Sequence, residues 1–259
     1  MALDDRWHGL DRPLDDYERV RYDRQIRIFG EEGQRKLKRA RVFVAGVGGL
    51  GSPVLMYLAT AGVGYLRFAD NDVVDLSNLN RQVLHWDRDV GEKKAVSAVK
   101  KLTQLSPRTL LEPKVDTINE ENVRRLIEGM DAVVDAMDNY ATRQLLNKAC
   151  VEKHVPFFHG AIHGFTGQAT TIIPGETPCL HCIFPVAPPA ETFPVLGSTA
   201  GVIAAIQATE VIKYLVGLGE LLKGKLLFYD GEQMEFYKID VKRNLHCPIC
   251  SRGRAWESA

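Results

Sequence analysis

A glycine-rich segment near residue 46 has the spacing of a nucleotide-binding loop. Gly46, Gly48 and Gly51 form the pattern G-x-G-x-x-G, with Gly49 inside it, directly after a short β-branched and apolar run. Glycines at this spacing let the backbone turn tightly and approach a phosphate, while the N–H groups that open the next helix face the anion. Asp70 ends the following apolar run, where an acidic side chain can meet a ribose hydroxyl. The pattern predicts a nucleotide site without specifying the nucleotide.

Taken alone, the glycine pattern favours a nicotinamide-dependent oxidoreductase, but the segment after Asp70 points elsewhere. Residues 71–82 read NDVVDLSNLNRQ, and Lys94 follows shortly after them. Arginine and lysine near a triphosphate, with acids able to hold a divalent metal, are the parts of a phosphoryl- or nucleotidyl-transfer site. An oxidoreductase would leave Arg81, Lys94 and Asp138 without a role, so it is the less favoured alternative.

Four of the five cysteines fall into two C-x-x-C pairs, while Cys150 stands alone. The pairs are Cys179/Cys182 and Cys247/Cys250. In a reducing compartment this spacing predicts a tetrahedral zinc site sooner than disulfides, and the ion would tie the C-terminal part to the middle of the chain. A redox C-x-x-C is the competing interpretation. His181 and His246 flank the pairs, and either could replace one thiolate.

These motifs resemble those of the MoeB/ThiF/HesA family, the relatives of ubiquitin-activating enzymes, from about Arg21 to Cys250. The segments that carry the resemblance are the glycine pattern, Asp70-x-Asp72, Ser77-Asn78-Leu79-x-Arg81-Gln82, Lys94, Asp135-Ala136-Met137-Asp138-Asn139 and the two C-x-x-C pairs. The resemblance implies ATP-dependent adenylylation of the C-terminal glycine carboxylate of a ubiquitin-like sulfur-carrier protein, with release of pyrophosphate. A small carboxylic acid or a peptide is the alternative acceptor.

The resemblance also implies a role for each polar group in these segments. The glycine loop would hold the phosphates and Asp70 the ribose, while Asp138 would hold Mg²⁺. Asp72 is a weaker candidate for the metal or the ribose. Asn78, Arg81 and Lys94 would hold the phosphates and the charge that develops on them. The other nucleotide-binding candidates are Ser77, Leu79, Asn80 and Asn139.

Arg24 belongs to the string R-Y-x-R-Q, which matches the family. In the family this arginine reaches across a dimer interface into the nucleotide site of the other subunit, so the resemblance implies a homodimer. The sequence without the resemblance favours a surface salt bridge for Arg24.

The proline-rich segment 183–194 departs from relatives that go beyond adenylylation. Such relatives often use a cysteine just before the helix that corresponds to residues 196–218. Residues 183–200 contain no cysteine here, and Ala190 stands at the expected place. Cys150 is more often a small buried hydrophobe than a nucleophile. We therefore expect no thioester on this chain, and a separate sulfurtransferase for any sulfur insertion.

Composition is that of an ordinary globular protein, with 33 basic and 33 acidic residues that give zero formal charge. This balance gives no indication of nucleic acid or of an anionic membrane as partner. We expect no apolar run of the length of a membrane span and no signal peptide, and hence a cytoplasmic protein.

Alternation of strand and helix patterns predicts an α/β fold, with a Rossmann-like, mostly parallel sheet and helices on both faces. Antiparallel strands and a zinc-tied C-terminal part would extend this sheet. We expect a polar arm over residues 1–20 and one domain over 21–259, with the nucleotide-binding part at about 21–160 and the acceptor-binding and zinc part at about 161–259. Asp138 would lie just past the C-terminal end of the strand 132–137, and Asp138 or Asn139 would cap the next helix.

Overall fold

Eight strands form one sheet in residues 10–187 and 194–251, the parts of the chain that the structure, a computed structural model, describes. The strands are β1 (Arg41–Ala45), β2 (Tyr65–Ala69), β3 (Leu110–Lys114), β4 (Ala132–Asp135), β5 (Phe157–His163), β6 (Thr166–Ile172), β7 (Lys225–Asp230) and β8 (Glu235–Asp240). Their order across the sheet is β3-β2-β1-β4-β5-β6-β7-β8. The first five strands in this order run parallel, and β6, β7 and β8 extend them antiparallel, as predicted.

The α-helices lie on both faces of this sheet. They are α1 (Asp16–Arg21), α2 (Asp23–Arg39), α3 (Gly51–Ala61), α4 (Lys94–Leu105), α5 (Val123–Leu126), α6 (Tyr140–Lys153), α7 (Leu180–Ile183) and α8 (Gly197–Val216). Strand β1 shows why both faces are covered, because Val42 and Val44 join the core beneath α2, α3 and α8, whereas Phe43 joins the core beneath α5 and α6. A strand buried on both faces is the pattern of a parallel sheet.

Strand order reverses at β1, which has β2 on one side and β4 on the other. The chain leaves β1 through α3 to β2, and it returns across the sheet to enter β4. Loops that leave β1 and β4 therefore diverge at the carboxyl edge of the sheet. Such a switch point is where open α/β sheets bind ligands.

Helix α8 is long and apolar enough to cross a membrane by length and composition, contrary to the expectation that the chain contains no apolar run of that length. In the fold it packs on α2, α3, β5 and β6. Its buried polar groups bond to the sheet side, since Gln207 donates to the carbonyls of Asp135 and Phe158, and Glu210 accepts from Thr171. These bonds are those of a core helix.

The predicted polar arm is partly built into the domain. Helix α1 crosses the predicted boundary at residue 20, Leu14 is buried, and Glu18 forms a buried ion pair with Lys38 at 2.8 Å. A charged segment can dock through paired charges as well as through apolar area, and the domain boundary at residue 20 stays a prediction. Residues 1–9 lie outside the described part of the chain.

Candidate nucleotide-binding site

A cleft of about 420 Å³ opens at the switch point between β1 and β4. It brings together many of the residues expected from the sequence. The expected residues that line it are Gly46, Gly48, Gly49, Asp70, Arg81, Lys94, Asp138 and Asn139. The wall also contains Arg143, Ile162 and Val195, which the sequence did not single out, and Gln82 and Met137, which belong to the quoted motifs but received no role there.

The three glycines of the G-x-G-x-x-G pattern are each favoured at their positions for a different structural reason. Gly46 has φ +95°, and a Cβ there would lie 2.7 Å from the carbonyl oxygen of Ala136. A Cβ on Gly51 would lie 2.0 Å from the carbonyl oxygen of Gly46, so Gly51 permits close packing of α3 on the loop. Gly48 has open space, with Gln82 the nearest neighbour at 3.7 Å. Gly48 is thus the glycine at which a phosphate can approach the backbone.

Asp70 fixes the glycine loop from the neighbouring strand. Its Oδ2 accepts from the N–H of Val47 at 2.8 Å, and its Oδ1 accepts from the N–H of Asp72 at 2.9 Å. Burial raises the pKa of Asp70, while the nearby Lys94 charge and these two N–H groups oppose that shift. The role at a ribose stays a prediction for Asp70, and its bond to the loop is an additional role.

His85 contacts the carbonyl group of Val47, the residue whose N–H bonds to Asp70. Its Nε2 lies 3.0 Å from the carbonyl oxygen of Val47, and its Nδ1 lies 2.8 Å from the hydroxyl of Ser97. Ser97 also accepts from Lys101 at 2.7 Å. A carbonyl cannot donate, so Nε2 carries the proton and Nδ1 accepts from Ser97. Burial lowers the pKa of His85, which agrees with a neutral ring.

Three cationic side chains, Arg81, Lys94 and Arg143, line the cleft. Lys94 opens helix α4, is largely buried and pairs with Asp72 at 2.8 Å. Arg81 donates to the carbonyl of Ser77 at 2.8 Å and to Asn80 Oδ1 at 2.9 Å. The cations can neutralise a polyanion at this place.

The segment that precedes Arg81 supports that arginine more than it lines the cleft. Ser77 N–H and hydroxyl both donate to Asp75, and Asn78 Oδ1 accepts from the N–H of Asp75 at 3.3 Å. In the described part of the chain, some expected residues do not line the cleft. They are Gly51, Asp72, Ser77, Asn78, Leu79 and Asn80. Their contact with a nucleotide stays a prediction.

Asp138 is exposed at the cleft, three residues after the end of β4. Asn139 caps helix α6 by accepting from the N–H of Thr142 at 2.9 Å, which settles the alternative between Asp138 and Asn139. Asp138 is thereby left to face the cleft. A carboxylate at this position is a ligand type that Mg²⁺ prefers.

Beneath Asp138 lies a buried polar cluster to which the sequence motifs assigned no role. Asp135 is fully buried, and its Oδ2 accepts from His159 Nδ1 at 2.6 Å. Burial lowers the pKa of His159, although Asp135 opposes the shift, so the ring is neutral with its proton on Nδ1. Arg143 Nε lies 3.6 Å from Asp135 Oδ2. The signal in the sequence was an acid inside an otherwise apolar strand, AVVD.

Arg24 is exposed on helix α2 and does not line the cleft of its own chain. This position agrees with a role in a second subunit, which stays a prediction. Ala190 and the segment 188–193 lie outside the described residues, so the expectation for that loop stays a prediction. Cys150 is 1% exposed, and burial raises the pKa of its thiol well above the usual range.

The four paired cysteines form one cluster away from the cleft. Their Sγ atoms all lie within 4.8 Å of one another, and no histidine belongs to the group in the described residues. Three Sγ–Sγ distances are 3.9 Å for Cys179–Cys182, 3.7 Å for Cys179–Cys247 and 3.5 Å for Cys182–Cys250. Thiolates around tetrahedral zinc, each about 2.3 Å from the ion, stand about 3.8 Å apart. The donor set and its spacing fit zinc.

A Rossmann-like sheet with a glycine loop, three cations and an acid at its switch point defines a nucleotide-binding α/β protein. The ThiF family model matches residues 22–249. The SAMP-activating enzyme E1 of Haloferax volcanii is 46% identical over 248 residues, which are 93% of this chain and 92% of that protein. The sulfur carrier protein adenylyltransferase of Thermus thermophilus is 43% identical over 243 residues, 89% of this chain and 90% of that protein. The chain belongs to the ThiF family and is an adenylyltransferase.

Solved structures show the same fold at lower identity. E. coli MccB has a TM-score of 0.83 and 24% identity, and covers 95% of this chain and 76% of its own. Its complex with ATP has a TM-score of 0.82. Neither the family match nor the relatives support the nicotinamide-dependent alternative.

Proposed function

We propose that this protein adenylylates the C-terminal glycine carboxylate of a ubiquitin-like sulfur-carrier protein with ATP and releases pyrophosphate. The observation that carries the proposal is the cleft, where a glycine loop, Arg81, Lys94 and Asp138 meet at the sheet's switch point. The names of the relatives from Haloferax volcanii and Thermus thermophilus support the same kind of acceptor.

The reaction joins two anions, so the protein must neutralise charge and hold the reacting groups in line. The acceptor carboxylate attacks the α-phosphorus, the bond to the β-phosphate breaks, and pyrophosphate leaves with the electron pair. The open backbone at Gly48 receives the phosphates, while Arg81 and Lys94 offset their charge. Asp138 would hold Mg²⁺, which when bound withdraws charge from the phosphate oxygens.

Lys94 shows how the free protein keeps a buried cation ready. Its side chain is 7% exposed and pairs with Asp72, whose side chain is 71% exposed. An exposed carboxylate can rotate into water at little cost, whereas Lys94 is held by the packing of α4. The pair therefore offsets the cost of a buried charge until a phosphate replaces Asp72.

In a homodimer, Arg24 of a second subunit would supply one more cation for the leaving pyrophosphate. The chain would stop at the acyl-adenylate, because Cys150 is buried and the four other cysteines are clustered. Zinc on that cluster would be structural, since four thiolates leave no open coordination position.

ATP–pyrophosphate exchange tests the proposal directly. The assay compares a ubiquitin-fold carrier that ends in Gly-Gly with the same carrier lacking its last glycine, and includes small carboxylic acids and short peptides as separate arms. Exchange that requires Mg²⁺ and the intact carrier supports the proposal. Exchange with a small acid or peptide alone would assign the alternative acceptor, and exchange with none of them would refute the reaction.

A further inference from the structure

Asp138, the proposed metal ligand, has little side-chain support of its own. It is exposed, and its one side-chain hydrogen bond in the described residues is from Asn139 Nδ2 at 3.5 Å, the outer limit of such a bond. The position of its carboxylate therefore depends on the backbone that precedes it. That backbone is the peptide of Met137.

Both polar groups of Met137 are held by side chains. Its N–H donates to Asp135 Oδ1 at 3.1 Å, and its carbonyl oxygen accepts from both Nε and Nη2 of Arg143. The Nε contact measures 3.1 Å, and Nη2 also reaches the carbonyl of Gly160 at 3.4 Å. A forked guanidinium fixes the direction of a carbonyl as well as its distance.

The two side chains that hold the Met137 backbone, Asp135 and Arg143, also stabilise each other. Asp135 Oδ2 lies 3.6 Å from Arg143 Nε and accepts from His159, and both Asp135 and His159 are buried. The buried negative charge is offset by the arginine, so the cluster is electrically balanced. Asn139 anchors the first turn of α6, from which Arg143 projects.

The glycine loop on the adjacent strand has the same arrangement. Val47 donates its N–H to Asp70 and offers its carbonyl to His85. Two loops at one switch point thus each carry a residue whose N–H is held by an aspartate and whose carbonyl is held by a cationic or imidazole donor. The repetition indicates that placement of the loop backbone matters at this edge.

We propose that Arg143 and Asp135 are positioning residues that hold the Met137 peptide and thereby aim Asp138 at the metal of a bound nucleotide. The proposal rests on the proposed function, because it takes the nucleotide–metal complex as the ligand of the cleft. Partners of metal-binding carboxylates typically account for about 10- to 100-fold in metal affinity. Arg143 acts through Asp138 and needs no contact with the nucleotide.

Arg143→Lys is the first test, because lysine keeps the charge and loses the fork. Electron paramagnetic resonance measures Mn²⁺ binding to protein saturated with α,β-methylene-ATP, and calorimetry in EDTA measures binding of the same nucleotide without metal. We expect Mn²⁺ affinity to fall about tenfold and metal-free nucleotide affinity to stay within about twofold. Arg124→Lys, at a surface arginine that bonds Glu152, is the matched control and should change neither.

Two further variants separate positioning from other roles. Asp138→Asn should weaken Mn²⁺ binding, and adding Arg143→Lys to it should cause no further loss, because the two residues act on one ligand. Arg143→Gln serves if the lysine variant does not fold. An equal loss of metal-free nucleotide affinity in Arg143→Lys would show direct contact and overturn the proposal. Unchanged Mn²⁺ affinity would overturn it as well.

Failure of this inference and failure of the proposed function give different results. If wild-type protein binds Mn²⁺ and nucleotide but supports no exchange with any carrier, the proposed reaction is refuted and the positioning role of Arg143 is not. If wild-type protein exchanges normally and the Arg143→Lys variant keeps its Mn²⁺ affinity, only the positioning role of Arg143 is refuted. If wild-type protein binds no nucleotide, both proposals are refuted.

Discussion

Ala45 and Asp135 face each other across the parallel strands β1 and β4, each at the last position of its strand. The next residues, Gly46 and Ala136, therefore start two loops side by side, and a Cβ on Gly46 would strike the Ala136 carbonyl. One loop presents Gly48 and the other presents Asp138. This register is what turns two distant sequence motifs into one cleft.

Loss of charge in the cleft should slow adenylylation strongly. We expect Arg81→Ala and Asp138→Ala each to lower ATP–pyrophosphate exchange by two orders of magnitude or more, about 3 kcal/mol in the barrier. Both side chains line the cleft, where Arg81 would offset phosphate charge directly and Asp138 would do so through the Mg²⁺ that it holds. Steady-state exchange measures the loss, with Arg124→Ala as a surface control. A loss below tenfold in either variant would contradict the assignment.

Mixing of two inactive proteins tests whether Arg24 acts in a second subunit. Arg24→Ala and Asp138→Ala should each be inactive, while a heterodimer of the two carries one site with both residues intact. We expect the mixture to recover part of the wild-type exchange activity, up to about a quarter for random pairing of equal amounts. Full activity of a species that light scattering shows to be monomeric would refute the role of Arg24.

Zinc should be present at about one ion per chain after purification without added metal. Cys247→Ser should abolish retention of the ion and lower the thermal midpoint, because Cys247 is fully buried and the cluster links it to Cys179 beside α7. Elemental analysis and differential scanning fluorimetry measure the two effects. Cys150→Ala is the matched control and should keep the zinc. Mapped disulfides between the pairs would contradict the site.

Stability should fall as the solution is acidified below the ordinary histidine range. Burial lowers the pKa of both His85 and His159, so the unfolded chain binds protons that the folded chain does not. Their stabilisation is complete above about pH 6.5, the unfolded value, and is lost as the pH falls below it toward the folded values. Each histidine contributes up to about 1.4 kcal/mol per pH unit in that window.

The thermal or denaturant midpoint between pH 7.5 and pH 5.5 provides the measurement. His85→Gln should reduce the pH slope, because glutamine can still donate to the Val47 carbonyl and does not titrate. His154→Asn is the control, since His154 is exposed with φ +56°, a conformation that asparagine tolerates. An identical slope in wild type and His85→Gln would refute the assignment to His85.

Local rules predicted the parallel strands, the glycine loop and the zinc cluster, because each depends on neighbours in sequence or on a fixed ligand spacing. They failed where a turn interrupts a helical pattern. Apolar residues at helical spacing in 90–105 predict a helix over that range. Helix α4 begins at Lys94 and not at residue 90, because Gly91 adopts φ +88° in the preceding turn. The pattern of residues 119–128 also predicts a helix. Helix α5 spans only Val123–Leu126 of that range, since Asn119 bonds the N–H groups of residues 121 and 122.

The residues that hold other residues in position could not be predicted from the sequence. Arg143 has the pattern of an ordinary helix charge, and His159 that of a structural histidine. Their roles depend on strand register, which places β5 next to β4 and brings His159 level with Asp135. His85 likewise acts across 38 residues on Val47. Such contacts are tertiary, and no local pattern encodes them.

The chemistry on this chain should end at the acyl-adenylate. A thioester requires an accessible thiolate near the adenylate, and Cys150 is buried with a raised pKa. The other four thiols cluster at metal-ligand spacing, and none of them lines the cleft.

We therefore expect Cys150→Ala to leave exchange activity per folded site unchanged. Non-reducing electrophoresis after incubation with ATP and carrier should show no adduct that a reducing agent releases. Wild-type protein treated with a thiol reagent under native conditions is the control, and it should stay unmodified at Cys150 by mass spectrometry, because the side chain is 1% exposed. A covalent adduct with the carrier that disappears in Cys150→Ala would show that the reaction continues beyond the adenylate.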